Sequence, residues 1–292
     1  GYSTMSKAAV RAIRFFEAIS GTGIRGKFNA QFFSGLLKLI HPRSEVMNSN
    51  MLIAYPDSSE QWRIETIRKC YEHLGWTIAE ILALQKNPSQ IFDWVKVFHN
   101  DGLMQELLAQ KKGVLFLSGH IGNWELLSSW YAQYAKKHGH ELHIVYQELH
   151  DMDVWQYVRE TRERSGEILL PKYLSVQKYA HMLKDGMHLA LLDDISGTGH
   201  MMVPFMGKNA TNMPGPAIMA LLSGVPVIPV SIYRIAPFEH EIIFLDPIKI
   251  PDKNENHKDR VKLTVQAIND ALEILIRKHP EQWFWLHKRW RP

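Results

Sequence analysis

Residues 113–125 read GVLFLSGHIGNWE, an apolar run that breaks into a small turn holding a histidine, with a glutamate five positions later. Gly119 and Gly122 permit the tight backbone such a turn needs. Asn123 suits the N-cap of the helical stretch WELLSSWYAQYAKK, which puts Glu125 in the first turn, where the helix dipole favours an ionised carboxylate. With His120 in the turn and Glu125 in the helix, the carboxylate can reach back to one imidazole nitrogen. It would fix the tautomer and leave the other nitrogen to accept a proton, the arrangement of a general base with an orienting partner. The chain offers this base no protein nucleophile. It has no G-x-S-x-G elbow, and its single cysteine, Cys70, sits in the unrelated helical stretch RKCYEHLGW. The base would then activate a substrate hydroxyl, or a water, for attack on an acyl carbonyl, a step to which positioned bases contribute about 10²–10⁴-fold. The same spacing also fits a histidine and a glutamate that only cap a turn.

Such a pair needs a rigid rim to hold it. Apolar runs GVLFLS (113–118), LHIVY (142–146), LALL (189–192) and VPVIPVSIY (225–233) alternate with helical patterns at 124–137, 153–165, 175–185 and 213–223. That alternation predicts a largely parallel sheet covered by helices. Pro226 and Pro229 predict that the fourth run is interrupted at its start or lies near an edge. In open sheets of this class, ligands bind beyond the carboxyl ends of the strands, and two polar clusters fall there: Ser118-Gly119-His120 and Asp193-Asp194.

The flanking segments read as helical. Ser58 followed by Gln61 is a capping-box pattern that opens a long helix, and Val261, Val265, Ile268, Leu272 and Leu275 keep one face of a closing helix. Near the start, Lys7, Arg11 and Arg14 share a face. That face suits either an anionic membrane surface or an ordinary solvated edge. With no repeat and no linker, residues 1–292 read as a single domain, mainly helical over 1–110 and α/β over 111–292.

Composition bounds the rest. A 46% hydrophobic content in 292 residues supports a sizeable core, and the 22% charged residues are too evenly spread for a disordered chain. A net charge of +4 fits an anionic partner such as lipid headgroups, nucleic acid or an acidic carrier protein. One cysteine excludes an intramolecular disulfide and points to a reducing compartment. No apolar run approaches the roughly 18–20 residues needed to span a bilayer. The GYST before Met5 is set aside as foreign to the natural start, and an N-terminal anchor trimmed from the chain is compatible with the sequence.

GHIGNWE resembles the H-x₄-[DE] motif of the glycerophosphate and lysophospholipid acyltransferase superfamily, in the form found in bacterial lipid A late acyltransferases (the lauroyl and myristoyl transferases). Further stretches resemble that family in order. VYQELHDMDVWQYVRETRERSG is similar to its tyrosine, then asparagine or aspartate, then R-x-R-x-x-G. LALLDD is similar to its strand ending in aspartate, VPFMGKNATNMPGPA to its phenylalanine–glycine segment followed by threonine, and VIPVSIYR to its strand ending in arginine. PEQWFWLHKRW is very close to its C-terminal signature, and the resemblance runs from about residue 40 to the end.

The resemblance implies a glycerophosphate acyltransferase-type α/β fold with a helical N-terminal region. It implies transfer of a fatty acyl chain from an acyl carrier protein or coenzyme A thioester to a hydroxyl of a membrane glycolipid, foremost a lipid A precursor in lipopolysaccharide biosynthesis. No metal or redox cofactor and no nucleic acid enters that reaction. Carried over, His120 is the general base and Glu125 its partner. Arg162 matches the arginine of the R-x-R-x-x-G stretch, a phosphate or thioester-side contact. Asp194 matches the aspartate after the strand, with Asn123, Thr211 and Arg234 as further substrate-binding candidates. Asp194 capping a turn and Arg234 pairing with a surface carboxylate are the structural alternatives. The implied location is the cytoplasmic face of a bacterial inner membrane, held peripherally or by a trimmed anchor, with the N-terminal helices shaping an apolar acyl groove. One departure bears on the acceptor. Gln147 and Glu148 follow Tyr146 where the family usually has arginine and proline, so a phosphoinositol mannoside or another lysolipid also fits. A thioesterase and a non-catalytic lipid-binding module are the rival readings.

Other signals carry less. GTGIRG (21–26) has dinucleotide-loop spacing but follows a helical pattern instead of a strand. His138, His140 and His143 lie in a polar loop without a carboxylate set. In WFWLHKRWRP, Trp283 and Trp285 suit either a headgroup layer beside Lys288, Arg289 and Arg291 or the core.

Overall fold

The computed structural model describes residues 2–146, 152–172, 174–195, 201–252 and 256–290. Helices α1 (Tyr2–Ala18), α2 (Ile24–Ile40), α3 (Ser44–Ala54) and α4 (Glu60–Leu84) come first. A short turn leads to α5 (Ile91–Trp94), β1 (Val95–His99) and α6 (Asp101–Ala109). The alternating part follows as β2 (Val114–Ser118), α7 (Trp124–Lys137), β3 (Leu142–Tyr146), α8 (Met152–Arg164), β4 (Ile168–Pro171), α9 (Val176–Lys184) and β5 (His188–Leu192). A hairpin of β6 (Met201–Phe205) and β7 (Lys208–Asn212), then α10 (Gly215–Ser223), β8 (Val227–Ala236), β9 (Glu239–Phe244) and α11 (His257–Lys278) complete the order.

The main sheet runs β1-β9-β8-β2-β5-β3-β4. All its pairings are parallel except β8 with β9. β2 is buried on both faces, as a central parallel strand must be: Leu115 and Leu117 enter one core cluster, Val114 and Phe116 the other. The first cluster takes the α11 face expected from its periodicity, together with Cys70, Trp283 and Trp285; the last two are core residues, not headgroup anchors. Arg291 lies outside the described residues.

Two expectations shift. β8 lies inside the sheet and not near an edge, and of the two outcomes expected of the prolines the interrupted start is the one found, since the strand begins at Val227, after Pro226. It pairs with β2 as far as Pro229 and with β9 from Val230 onward, so Pro229 sits at the changeover. There its missing N–H breaks no ladder, and its carbonyl accepts from Leu245 N at 2.9 Å. The N-cap of α4 is Ser59, which accepts from Trp62 N at 3.1 Å, while Ser58 donates to the Tyr55 carbonyl. Of two adjacent serines, the one directly ahead of the helix takes the cap.

Candidate active site

The register of β2 and β5 sets the site. Ser118, the last residue of β2, pairs with Leu192, the last of β5. His120 and Asp194, each two residues further, therefore leave the same rim side by side. Asp193 N–H donates to the Ser118 carbonyl at 2.9 Å, holding the two ends together. Gly119 permits the approach, because a Cβ there would stand 2.9 Å from Asp194 Oδ2.

His120 Nδ1 lies 2.7 Å from Asp194 Oδ1. Asp194 Oδ2 accepts from the His120 backbone N–H at 2.7 Å and from Trp283 Nε1 at 2.8 Å. Burial opposes ionisation of this carboxyl, yet the charge and hydrogen bonds of His120, with Trp283, hold its pKa below the ordinary value. Asp194 is thus a carboxylate, and we assign the Nδ1 proton to the shared bond, which leaves Nε2 with its lone pair. Burial likewise disfavours the imidazolium, but Asp194 and then Glu125 outweigh it, so the His120 pKa lies above 6.5. The ring is 22% exposed and stands edge-on to Trp124, with centroids 5.1 Å apart. The C-terminal stretch closes over it: Phe284 N donates to the His120 carbonyl at 2.9 Å, and Ile121 bridges Trp283.

Glu125 does not take the position expected from its spacing. Its carboxylate is gripped by Arg162, Nη2 to Oε1 at 2.6 Å and Nε to Oε2 at 3.1 Å. A forked guanidinium outcompetes a single imidazole N–H for both carboxylate oxygens. The hydrogen-bonded partner of His120 is therefore Asp194, while Glu125 acts on the ring through its charge alone. Arg162 correspondingly spends its fork inside the protein. Behind this pair, Glu167 is buried, has no partner for Oε1, and is pushed up to about 8 by burial and by the neighbouring Glu125 charge.

Two candidates turn away from any substrate. Asn123 is fully buried; its oxygen caps α7 at Leu126 N, and its amide donates to Glu80 Oε2 at 3.0 Å and to the Thr77 carbonyl. Arg234 forks onto Glu80 at 2.8 and 2.7 Å, so its carboxylate partner is buried, not on the surface. Arg234 also donates to His73 Nδ1 at 2.5 Å, and His73 Nε2 donates in turn to the Gly122 carbonyl at 3.1 Å. Burial, then the Arg234 charge, keeps His73 neutral, consistent with that tautomer. His240 Nε2 lies 3.1 Å from Glu80 Oε1. Glu80, His73 and His240 braced behind the turn are residues that sequence spacing did not reveal. Gly122, at φ +60 with the Ile232 carbonyl 1.6 Å from where a Cβ would fall, is the one residue that fits there.

Thr211 is half-buried in β7, and its carbonyl accepts from Arg289 Nη1 at 2.8 Å. No hydrogen bond joins it to His120 or Asp194. Gln147 and Glu148 lie outside the described residues. His140 Nε2 meets the Leu108 carbonyl at 2.7 Å and His138 Nδ1 the Tyr134 carbonyl at 2.9 Å. The N-terminal helices border two grooves, one of about 320 Å³ between α1 and α8 with Lys7, Val10, Arg11, Arg14, Tyr157 and Glu160 in its lining, and one of about 380 Å³ between the ends of α1 and α2 lined by Ala18, Ile19, Ile24, Arg25 and Phe28.

The family model described as bacterial lipid A biosynthesis acyltransferase matches residues 25–292. The lipid A biosynthesis lauroyltransferase of Escherichia coli (strain K12) is 24% identical over 261 residues, covering 87% of this chain and 81% of that protein. The palmitoleoyltransferase of the same organism is 23% identical over 260 residues, covering 85% and 79%. The solved 1-acyl-sn-glycerophosphate (LPA) acyltransferase PlsC from Thermotoga maritima aligns over 84% of this chain and 94% of that one at 13% identity and a TM-score of 0.36, too loosely to bear on the site.

Proposed function

This chain belongs to the bacterial lipid A biosynthesis acyltransferase family, and we propose that it moves a fatty acyl chain from a thioester of acyl carrier protein or coenzyme A to a hydroxyl of a membrane glycolipid, with a lipid A precursor as acceptor. In this reading the acceptor hydroxyl meets His120 Nε2, which removes its proton as the oxygen attacks the thioester carbonyl. Asp194 holds the ring through Nδ1–H and stabilises the imidazolium that forms. The tetrahedral intermediate collapses with loss of the thiolate, which takes the proton back from Nε2. The Glu125–Arg162 pair sets the charge beside the ring, and the Glu80–Arg234–His73 brace fixes the turn. The proposed chemistry uses no metal or redox group. It takes place at the cytoplasmic face of the inner membrane.

The observation that carries this reading is the 2.7 Å contact of His120 Nδ1 with a buried carboxylate, which leaves Nε2 as the basic atom at the rim. The relatives' named activities support the acyl-transfer class. The test is product analysis by mass spectrometry, with acyl thioester supplied with and without a lipid A precursor. Acylated acceptor is expected, and His120→Ala should abolish it while leaving lipid binding intact. Free fatty acid released at full rate without acceptor would make the protein a thioesterase instead.

A further inference from the structure

α2 is inside out for a helix on a water-facing surface. Its inward face consists of Gly26, Asn29, Ala30 and Ser34, all buried, with Gly26 against Phe238 and with Ala30 and Ser34 against α4. The packing is so close that a Cβ on Gly75 of α4 would stand 2.6 Å from Ser34 N and 2.7 Å from the Ala30 carbonyl. Leu37 packs toward the core, but five other large apolar residues point outward: Ile24 is 84% exposed, Phe28 57%, Phe32 44%, Leu36 42% and Leu39 79%. Steps of four, four, four and three put them on one stripe along the helix. Phe15 of α1 continues the patch through Phe16, whose ring lies 5.5 Å from Phe15 and 5.1 Å from Phe32. A helix whose interface with its neighbour is small and whose free side is large and apolar follows the pattern of packing in lipid, not in water.

Charge identifies the occupant. α2 contains no acidic residue, Arg25 and Lys27 are exposed at its N-terminal end, and Lys7 and Arg11 are exposed on α1. The α2 stripe of a second copy would offer Arg25 and Lys27 no carboxylate, because the helix has none. Anionic headgroups beside acyl chains match both the stripe and its rim. Among the described residues no helix is long and apolar enough to cross a membrane. We propose that α2 lies in the plane of an anionic lipid leaflet, with Phe28, Phe32 and Leu39 sunk into the boundary between headgroups and acyl chains. The basic face of α1 then contributes only the electrostatic approach.

The inference deepens the lipid-acceptor reading, and its test needs no turnover. The full chain is floated with phosphatidylcholine/phosphatidylglycerol vesicles at low and high salt. Wild-type protein should remain bound at high salt, because apolar insertion is not screened. The triple variant Phe28→Ser/Phe32→Ser/Leu39→Ser should lose at least about tenfold in vesicle affinity at high salt, with circular dichroism as the control that it remains folded. Lys7→Gln/Arg11→Gln should weaken only the low-salt binding. Equal binding of the triple variant, or a lipid-free dimer of the wild type that the triple variant dissolves, overturns the proposal. Transfer to a dispersed, water-soluble acceptor reports the chemistry separately. If vesicle binding fails while that transfer persists, the docking surface falls and the acyltransferase reading stands; binding without any transfer gives the reverse.

Discussion

Asp194→Asn changes one atom and should disable the base without disturbing the fold. In the carboxylate, Oδ2 takes two N–H donors, from His120 N and Trp283 Nε1, and Oδ1 takes one, from His120 Nδ1. Asparagine has a single acceptor oxygen. The two-donor position claims it, which turns the amide NH₂ toward Nδ1. That nitrogen must then accept, so the ring proton moves to Nε2, the atom proposed to take the acceptor's proton. The charge that raises the His120 pKa disappears as well, and burial, which opposes the imidazolium, acts unopposed by it. A positioned general base supplies about 10²–10⁴-fold, and the midpoint of that range corresponds to roughly 4 kcal/mol of barrier. The assay is the initial rate of acyl transfer across pH, with thermal unfolding as the control for folding. For the wild type the rate should climb with pH through a midpoint above 6.5, since only the neutral ring accepts a proton and the pKa is raised. For Asp194→Asn the rate should fall by about a thousandfold, and any residual pH midpoint should move lower. A variant with unchanged rate and unchanged midpoint would refute Asp194 as the orienting group and return that role to Glu125.

Glu167→Gln should stabilise the protein at alkaline pH. The buried carboxyl stays protonated up to about 8 in the fold but ionises near 4.5 once unfolded, so the wild type loses stability as pH rises between those values. At 1.36 kcal/mol per pH unit that span is on the order of 5 kcal/mol at most; urea midpoints at pH 5 and pH 9 should show the variant gaining only at the higher pH. Arg234→Met strips the buried Glu80 of its guanidinium and should cost about 3–5 kcal/mol of unfolding free energy, read by the same titration, whereas replacing an exposed pair such as Arg68–Glu65 should cost little.

The rim was readable because its evidence is local. GVLFLS and LALL are apolar runs bounded by glycine and aspartate, and parallel neighbours of equal length bring the residues just beyond them together. That logic placed His120 and Asp194 at one edge. Choosing Glu125 as the orienter failed because its competitor, Arg162, comes from a helix whose approach no spacing rule describes. The brace was hidden for a related reason. Glu80 and Arg234 stand 154 residues apart, each ordinary within its own segment. β9 shows alternation, burying His240, Ile242 and Phe244, but a histidine on the inward face disguises the pattern. The β6–β7 hairpin turns on Met206-Gly207, both at positive φ. Methionine there lacks the asparagine that usually advertises such a turn.

The contacts made by Gln282, Trp283 and Phe284 have a consequence for biosynthesis. Gln282 O receives Gly122 N–H, Phe284 N–H caps the His120 carbonyl, and the Trp283 indole holds the carboxylate that steers the ring. A growing polypeptide can complete β2, α7 and β5 long before these residues leave the ribosome. Until they dock, the imidazole has its strand but lacks the clasp that aims it. A chain that stops short of Gln282 should therefore keep the strand that carries His120 but lack the clasp, and with it the ring's aim.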